Sequence, residues 1–406
     1  MFGYGRKEKQ GTSEGKAATM KQDLIILGAS VRAAAFSALR ANLRPWCIDL
    51  FGDADLCARC PTKTIAPQDY PAGFVDMIRE APAVPWIFTG ALENRPRLIR
   101  RLAGLRPLWG NDPSVLARAR SPRRVQKLLR AAGLPCPALS IDGAAGLPPG
   151  RWLAKPRRGA GGKGIRPWNG QPAQPRGGQR VYYQEYIEGE ACAAIYASER
   201  TATHLLGVTR QLVGERWLHA ATFHYCGSVG PLALTPSLRG HFERLGTILA
   251  QGCGLRGLFG IDCVMRDGIP WPVEINPRYT ASVEVLEYAL GFSALGWQRV
   301  AFERTATEPP PIPANHSSGC IGKAILFAKS ALIFPAKGPW LETVQSPGSV
   351  HVVPAFADIP AAGQEMAAGR PILTFFARGN SPDACFDSLQ QTAADLDRRL
   401  FGDIQA

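Results

Sequence analysis

The stretch Asp262-Cys-Val-Met-Arg-Asp267-Gly268-Ile-Pro-Trp-Pro-Val-Glu274-Ile-Asn276-Pro-Arg278 decides how the rest of the chain is read. Strand-forming residues lead into Asp267-Gly268, a turn signal, and a second strand returns carrying Glu274 and Asn276. Residues two apart on a strand share a face, so Glu274 and Asn276 point the same way. If Asp262 joins them, two carboxylates and an amide oxygen form a hard, oxygen-only site suited to Mg²⁺ beside nucleotide phosphates. Parity sets a condition. A two-residue turn at 267–268 pairs Asp262 with Val273 and puts the acids on opposite faces, whereas an odd loop such as 267–269 pairs Asp262 with Glu274. The metal reading therefore predicts an odd loop, and the competing reading is a solvated acidic hairpin.

Composition bounds the alternatives. At 406 residues and 46% hydrophobic content, the chain can bury a sizeable core in two or three domains. No apolar run is long enough to span a bilayer, and Met1 to Gln22 is polar, without the apolar segment of a signal peptide. That segment is expected to be a disordered tail, and the protein to be cytoplasmic. The ten cysteines lack regular spacing and read as reduced core residues, Cys57 and Cys60 forming a lone CxxC. The net charge of +14 owes much to arginine, densest from Arg95 to Arg124. Nucleic acid, polyanionic small molecules and a genome rich in arginine codons all account for it. No run of basic residues with interleaved aromatics and no zinc-finger spacing is present, so neither nucleic acid nor membrane is expected as a partner.

Ahead of the hairpin, Asp23 to Leu27, Gly28-Ala-Ser30, a helix over Val31 to Ala41 and a strand from Pro45 to Leu50 make a βαβ unit. Its glycine fingerprint is incomplete, which argues against dinucleotide binding. Val84 to Gly90 reads as a further strand of the same sheet. Asp112-Pro113 and Ser121-Pro122 each open a helix with a capping side chain and proline in the first turn. Trp152-Leu-Ala-Lys155-Pro is a short strand presenting a lysine, followed by the glycine-dense segment Gly159-Ala-Gly161-Gly162-Lys163-Gly164. Such a loop can lay N–H groups and positive charge along a triphosphate, or it can be a flexible hairpin tip. Gln184-Glu185-Tyr186-Ile187-Glu-Gly-Glu190 then joins two strands, which suits an adenine site at a hinge or an ordinary surface strand pair. Later come a helix over Ser237 to Gly252, strands from Ile321 to Phe327 and Pro371 to Ala377, and a helix over Pro382 to Leu400. The histidines are isolated; His224 lies where a substrate loop could run.

In this order the motifs resemble the ATP-grasp superfamily, ligases and carboxylases that activate a carboxylate as an acyl phosphate. The resemblance covers roughly residues 23–330. It implies a mixed α/β and α+β fold: a Rossmann-like domain over 23–110, an ATP-grasp domain of two α+β subdomains over 111–320 with a mobile lid at 145–200, and an α+β segment over 321–406. It implies ATP and two Mg²⁺ (or Mn²⁺) as cofactors. Lys155 would contact the α/β-phosphates, the segment from Gly159 through Gly161, Gly162, Lys163 and Gly164 would close over the β/γ-phosphates, and Gln184, Glu185, Tyr186, Ile187 and Glu190 would line the nucleoside site. Asp262, Glu274 and Asn276 would hold metal, with Lys155 and Arg278 catalytic. A second phosphate-binding lysine of the superfamily falls on Pro122, so that Arg123 or Arg124 would have to replace it. Glu274 to Glu284 is similar to predicted carboligases related to biotin carboxylase, associated with methanofuran- and tetrahydromethanopterin-type cofactors. This implies a carboxylate–amine ligase adding an amino acid such as glutamate to a cofactor precursor. The alternatives are a bicarbonate-using carboxylase with Glu284 as base, or a non-catalytic ATP-binding regulator. The expected partners are a small carboxylate and an amine, with specificity in 222–236 and the N-terminal domain, in a possible homodimer.

Overall fold

The structure, a computed structural model, describes residues 22–141, 143, 146–170, 180–199, 202–303, 310–311 and 319–402. The expected tail, except Gln22, lies outside these residues, as does most of the Gly/Pro-rich stretch 169–180. Four short strands, β1 (Leu24–Leu27), β2 (Pro45–Asp49), β3 (Thr62–Thr64) and β4 (Trp86–Phe88), form a parallel sheet in the order β3-β2-β1-β4. All four residues of β1 are buried, as expected for a parallel strand covered on both faces. The helix Arg32–Arg40 makes the crossover from β1 to β2.

A second, antiparallel sheet contains β5 (Leu139–Ser140), β6 (Trp152–Pro156), β7 (Arg166–Pro167) and β8 (Val181–Glu185), ordered β5-β8-β6-β7. The largest sheet has eight strands: β9 (Glu190–Ser198), β10 (Thr203–Val213), β11 (Tyr225–Gly230), β12 (Gly257–Arg266), β13 (Ile269–Asn276), β14 (Cys320–Phe327), β16 (Phe356–Ala357) and β18 (Pro371–Gly379). Their order is β13-β12-β9-β10-β11-β14-β18-β16, and a small ribbon pairs β15 (Leu332–Ile333) with β17 (Glu365–Met366).

Both faces of this sheet are covered. On one, Cys192, Ala194, Tyr196, Phe259, Ile261, Cys263 and Ile275 pack under the helix Pro236–Cys253. On the other, Ala193, Ile195, Ala197 and Leu258 meet the helices Arg32–Arg40 and Ala281–Leu290. The period of two thus turns Asp262, Glu274 and Asn276 away from the first core.

The two strands β10 and β11 were not legible in sequence, and β11 lies inside the 222–236 stretch expected to be a substrate loop. Its two glycines and polar residues read as a connection. The reason is steric: a Cβ on Gly227 would sit 2.2 Å from the Lys323 carbonyl oxygen on β14, so close backbone approach selects glycine in a central strand. Among the described residues no helix is long and apolar enough to cross a membrane. All ten cysteines are free thiols, and of these Cys57 is the exposed one.

Candidate active site

The hairpin pairs Asp262 directly with Glu274, but not by the route the sequence suggested. The connection is a two-residue turn, with Asp267 at φ 52° and Gly268 at φ 73°, and Arg266 pairs with Ile269. The odd residue is a β-bulge: Cys263 faces Pro272, Asp262 faces Glu274, and Val273 is left over between them. The odd-loop expectation is therefore corrected while the pairing it was meant to secure is present. β13 is an edge strand, which is where the N–H missing from Pro270 and Pro272 is tolerated. The carbonyl of the bulged Val273 accepts the Lys155 ammonium at 3.3 Å, and the same ammonium donates to Gln184 Oε1 at 2.9 Å. The bulge thus both aligns the acids and orients the lysine.

A cavity of about 560 Å³ lies between the small sheet and the large one. Lys155, Gly161 and Gly162 line one side, Gln184 to Ile187 and Glu190 the hinge, and Asp262, Glu274, Asn276 and Arg278 the floor. Gly159 and Lys163 instead line a smaller pocket of about 70 Å³ that shares Lys155 and Glu274, and Gly164 borders neither. At the hinge, the N–H groups of Glu185 and Tyr186 donate to Ala138 and Arg151 carbonyls, at 2.9 and 2.8 Å. Ile187 is buried, and no described group takes its N–H. Glu190 is exposed and pairs with Arg210 at 2.8 Å.

The acids are held by side chains. Asp262 accepts from Asn276 Nδ2 at 2.9 Å and from Gln211 Nε2 at 3.1 Å. Burial, then the charge of Glu274, pushes the Asp262 carboxyl up to about 6. Burial also raises Glu274, but the charges of Arg120 and Lys155 outweigh it and hold that carboxyl below its ordinary range. Arg120 was not singled out in the sequence, where Arg123 or Arg124 was expected to supply the extra cation. Its guanidinium pairs with Glu274 and reaches the Gly159 carbonyl at 2.9 Å and Asn94 at 3.3 Å. Arg124 faces outward and bonds the Gly252 carbonyl at 2.8 Å. Arg120 immediately precedes the Ser121 cap, so the start of the helix Pro122–Ala131 aims it inward.

Arg278 donates to Glu93 at 2.9 Å and to the Tyr279 carbonyl at 3.0 Å, while its buried Nε has no hydrogen-bond partner among the described residues. Its turn is pinned by Asn111, which donates to the Pro277 carbonyl at 3.0 Å. Glu284 is not part of the cavity wall: fully buried, it accepts from Arg32 and Lys323, and Ser282 borders the cavity instead. The expected base of a carboxylase is thereby sealed off. His224 sits at the end of the β10–β11 connection, its ring pKa lowered by burial and by the nearby Lys163 charge, and it does not line the cavity. In the N-terminal sheet, Asp49 accepts the N–H groups of Val31, Phe51 and Gly52, each at 2.8 Å.

Residues 121–282 match the ATP-grasp domain family. This segment is similar to an ATP-grasp domain. The fold is similar to that of an L-amino acid ligase from Bacillus licheniformis, at TM-score 0.65 and 14% identity over 92% of this chain and 97% of that one. It is similar to the biotin carboxylase domain of the Hydrogenobacter thermophilus 2-oxoglutarate carboxylase, at TM-score 0.66 and 16% identity over 91% and 89%. It is also similar to N5-carboxyaminoimidazole ribonucleotide synthetase from Thermus thermophilus, at TM-score 0.62 and 15% identity over 94% and 99%. A search of curated proteins finds no match. Asp262, Glu274 and Asn276 offer oxygen donors of the kind Mg²⁺ prefers, two carboxylates and an amide, and Glu274 is at present neutralised by Arg120.

Proposed function

We propose that the protein is an ADP-forming ligase that joins a carboxylate to an amine through an acyl phosphate. The observation that carries this reading is the facing of Asp262 and Glu274 across a bulged hairpin, on the floor of a cavity whose opposite wall holds Lys155 and the glycine loop. Bound MgATP supplies the phosphoryl group that the substrate carboxylate takes, leaving ADP. The amine nitrogen then attacks the acyl carbon, phosphate departs, and the ammonium proton is released. Asp262, Glu274 and Asn276 hold the metal, and Lys155 neutralises the α/β-phosphates. The glycine loop from Gly159 to Gly164 covers the β/γ-phosphates as part of a lid spanning 145–200. Gln184, Glu185, Tyr186 and Ile187 receive the base, with Glu190 toward the ribose. Arg278 steadies the transferred phosphoryl group, and Arg120 takes the place of the second phosphate-binding lysine. Phosphoryl transfer needs positioning and charge neutralisation rather than a protein nucleophile, which suits a site of this composition.

The amine reading is favoured over bicarbonate because Glu284 is locked between Arg32 and Lys323. The finer reading, an amino acid such as glutamate added to a methanofuran- or tetrahydromethanopterin-type precursor, rests on the resemblance of Glu274 to Glu284. A cytoplasmic homodimer completes the proposal, and light scattering tests the assembly. The deciding experiment screens carboxylate and amine pairs, that precursor class included, for amine-dependent ADP release. AMP as product, or full activity in Glu274→Gln, would overturn the reading.

A further inference from the structure

The β10–β11 connection, residues 214–224, carries a carboxylate on the cavity wall to which the ligase reading gives no task. Of the acids bordering the cavity, Asp262 and Glu274 face each other, Glu190 pairs with Arg210, and Glu185 accepts the Ala138 N–H. The fifth is Glu215. It is half-buried, one carboxylate oxygen accepts the Trp217 indole N–H at 2.9 Å, and among the described residues no cation pairs with it. A carboxylate on a cavity wall without a counter-charge can accept a cationic ligand.

The place and rigidity of Glu215 suit such a ligand. The connection abuts the glycine loop, for a Cβ on Gly162 would sit 1.7 Å from the Phe223 carbonyl oxygen, and Tyr225 N–H reaches the Gly161 carbonyl at 3.4 Å. Glu215 therefore stands on a segment that meets the glycine loop. Its backbone is fixed: Gly214 N–H donates to His224 at 2.8 Å, and Leu218 and Ala220 both donate to the Glu215 carbonyl at 3.2 Å. Trp217, which holds its side chain, packs edge-on against Phe386 with centroids 5.5 Å apart. The carboxylate is a pre-built acceptor on the cavity wall, on the segment that packs against the glycine loop.

We propose that Glu215 binds the ammonium group of the amine acceptor and so selects a free amine over its acylated counterpart. The inference rests on the ligase reading and deepens it by naming the group that reads the second substrate. It is tested on the full chain with Mg²⁺ and ADP, titrated with the free amino acids and with their N-acetyl derivatives, read by tryptophan fluorescence with Trp217→Phe as the reporter control. At least one free amino acid is expected to bind and to perturb Trp217, with its N-acetyl form about tenfold to a hundredfold weaker. Glu215→Gln should erase that difference, Glu215→Asp should restore part of it, and both should bind MgATP as the parent does. Equal binding of free and acetylated forms, no binding of any free amino acid, or undiminished binding by Glu215→Gln would overturn the proposal. MgATP titration separates the two ideas. A parent chain that fails to bind MgATP sinks the ligase reading along with this one, whereas MgATP binding with amine binding indifferent to Glu215 sinks this one alone.

Discussion

Two carboxyls in this protein, one buried and one partly buried, are shifted in the same direction and have opposite surroundings. Asp49, at the end of β2, and Asp262, on β12, are each pushed up to about 6, in both cases chiefly by burial. Asp49 is closed by three backbone N–H groups, including one at the start of the helix Arg32–Arg40. Asp262 is closed by the amides of Asn276 and Gln211, and its partner Glu274 by the guanidinium of Arg120. Backbone donors cannot leave without unfolding the turn, whereas side chains can rotate aside for a metal and a polyphosphate. A perturbed carboxyl is thus a plug in one sheet and a candidate ligand in the other, and the kind of donor tells them apart.

The comparison can be broken most directly at the hairpin. Glu274→Gln keeps the shape but removes the charge, and ADP release should fall by about a thousandfold with the fold intact by circular dichroism. Lys155→Met should cost on the order of a hundredfold in kcat/KM, through lost phosphate neutralisation. At the other acid, Asp49→Ala leaves three N–H groups unsatisfied and should lower unfolding free energy by about 1–3 kcal/mol. MgADP affinity, measured by calorimetry, should not change; if it did, Asp49 would belong to the site.

The pH dependence sharpens the same contrast. The Asp262 pKa is raised in the folded state, so the folded chain holds this proton at pH values where the unfolded chain has lost it. In the metal-free protein stability should therefore fall as pH rises from about 4 to about 6. Asp262→Asn removes that cost and should stabilise the metal-free chain near neutral pH by about 1–2 kcal/mol while weakening Mg²⁺ binding. Mg²⁺ affinity of the parent should drop as pH falls through about 6; a flat profile would show that Asp262 is not a ligand. The smallest effect expected is at Arg120, where Arg120→Gln should raise the KM for ATP about tenfold.

Much of the candidate site's layout was legible because its signals are local. Lys155 on a strand, the glycine loop and Glu274-Ile-Asn276 each depend on spacings of a few residues, and the face they share follows from the strand period. The parity argument was half legible. It identified that one extra residue is needed between Asp262 and Glu274, but placed it in the turn, where Asp267-Gly268 already satisfies a two-residue hairpin. The bulge at Val273 depends on β13 being an edge strand that admits Pro270 and Pro272, and edges are a property of the sheet. Arg120 escaped because it meets Glu274 across 154 residues of chain, and Glu284 misled because its burial depends on Arg32 and Lys323.

The sequence by itself determined the order of elements, the class of fold and the oxygen-only character of the candidate site, since these follow from periodicity, turn chemistry and side-chain type. Only the tertiary structure decided which acid is closed by backbone donors and which by side chains, which arginine meets Glu274, and that Glu215 has no cation partner among the described residues. Those outcomes depend on which distant groups share a low-dielectric space, and no local spacing encodes that.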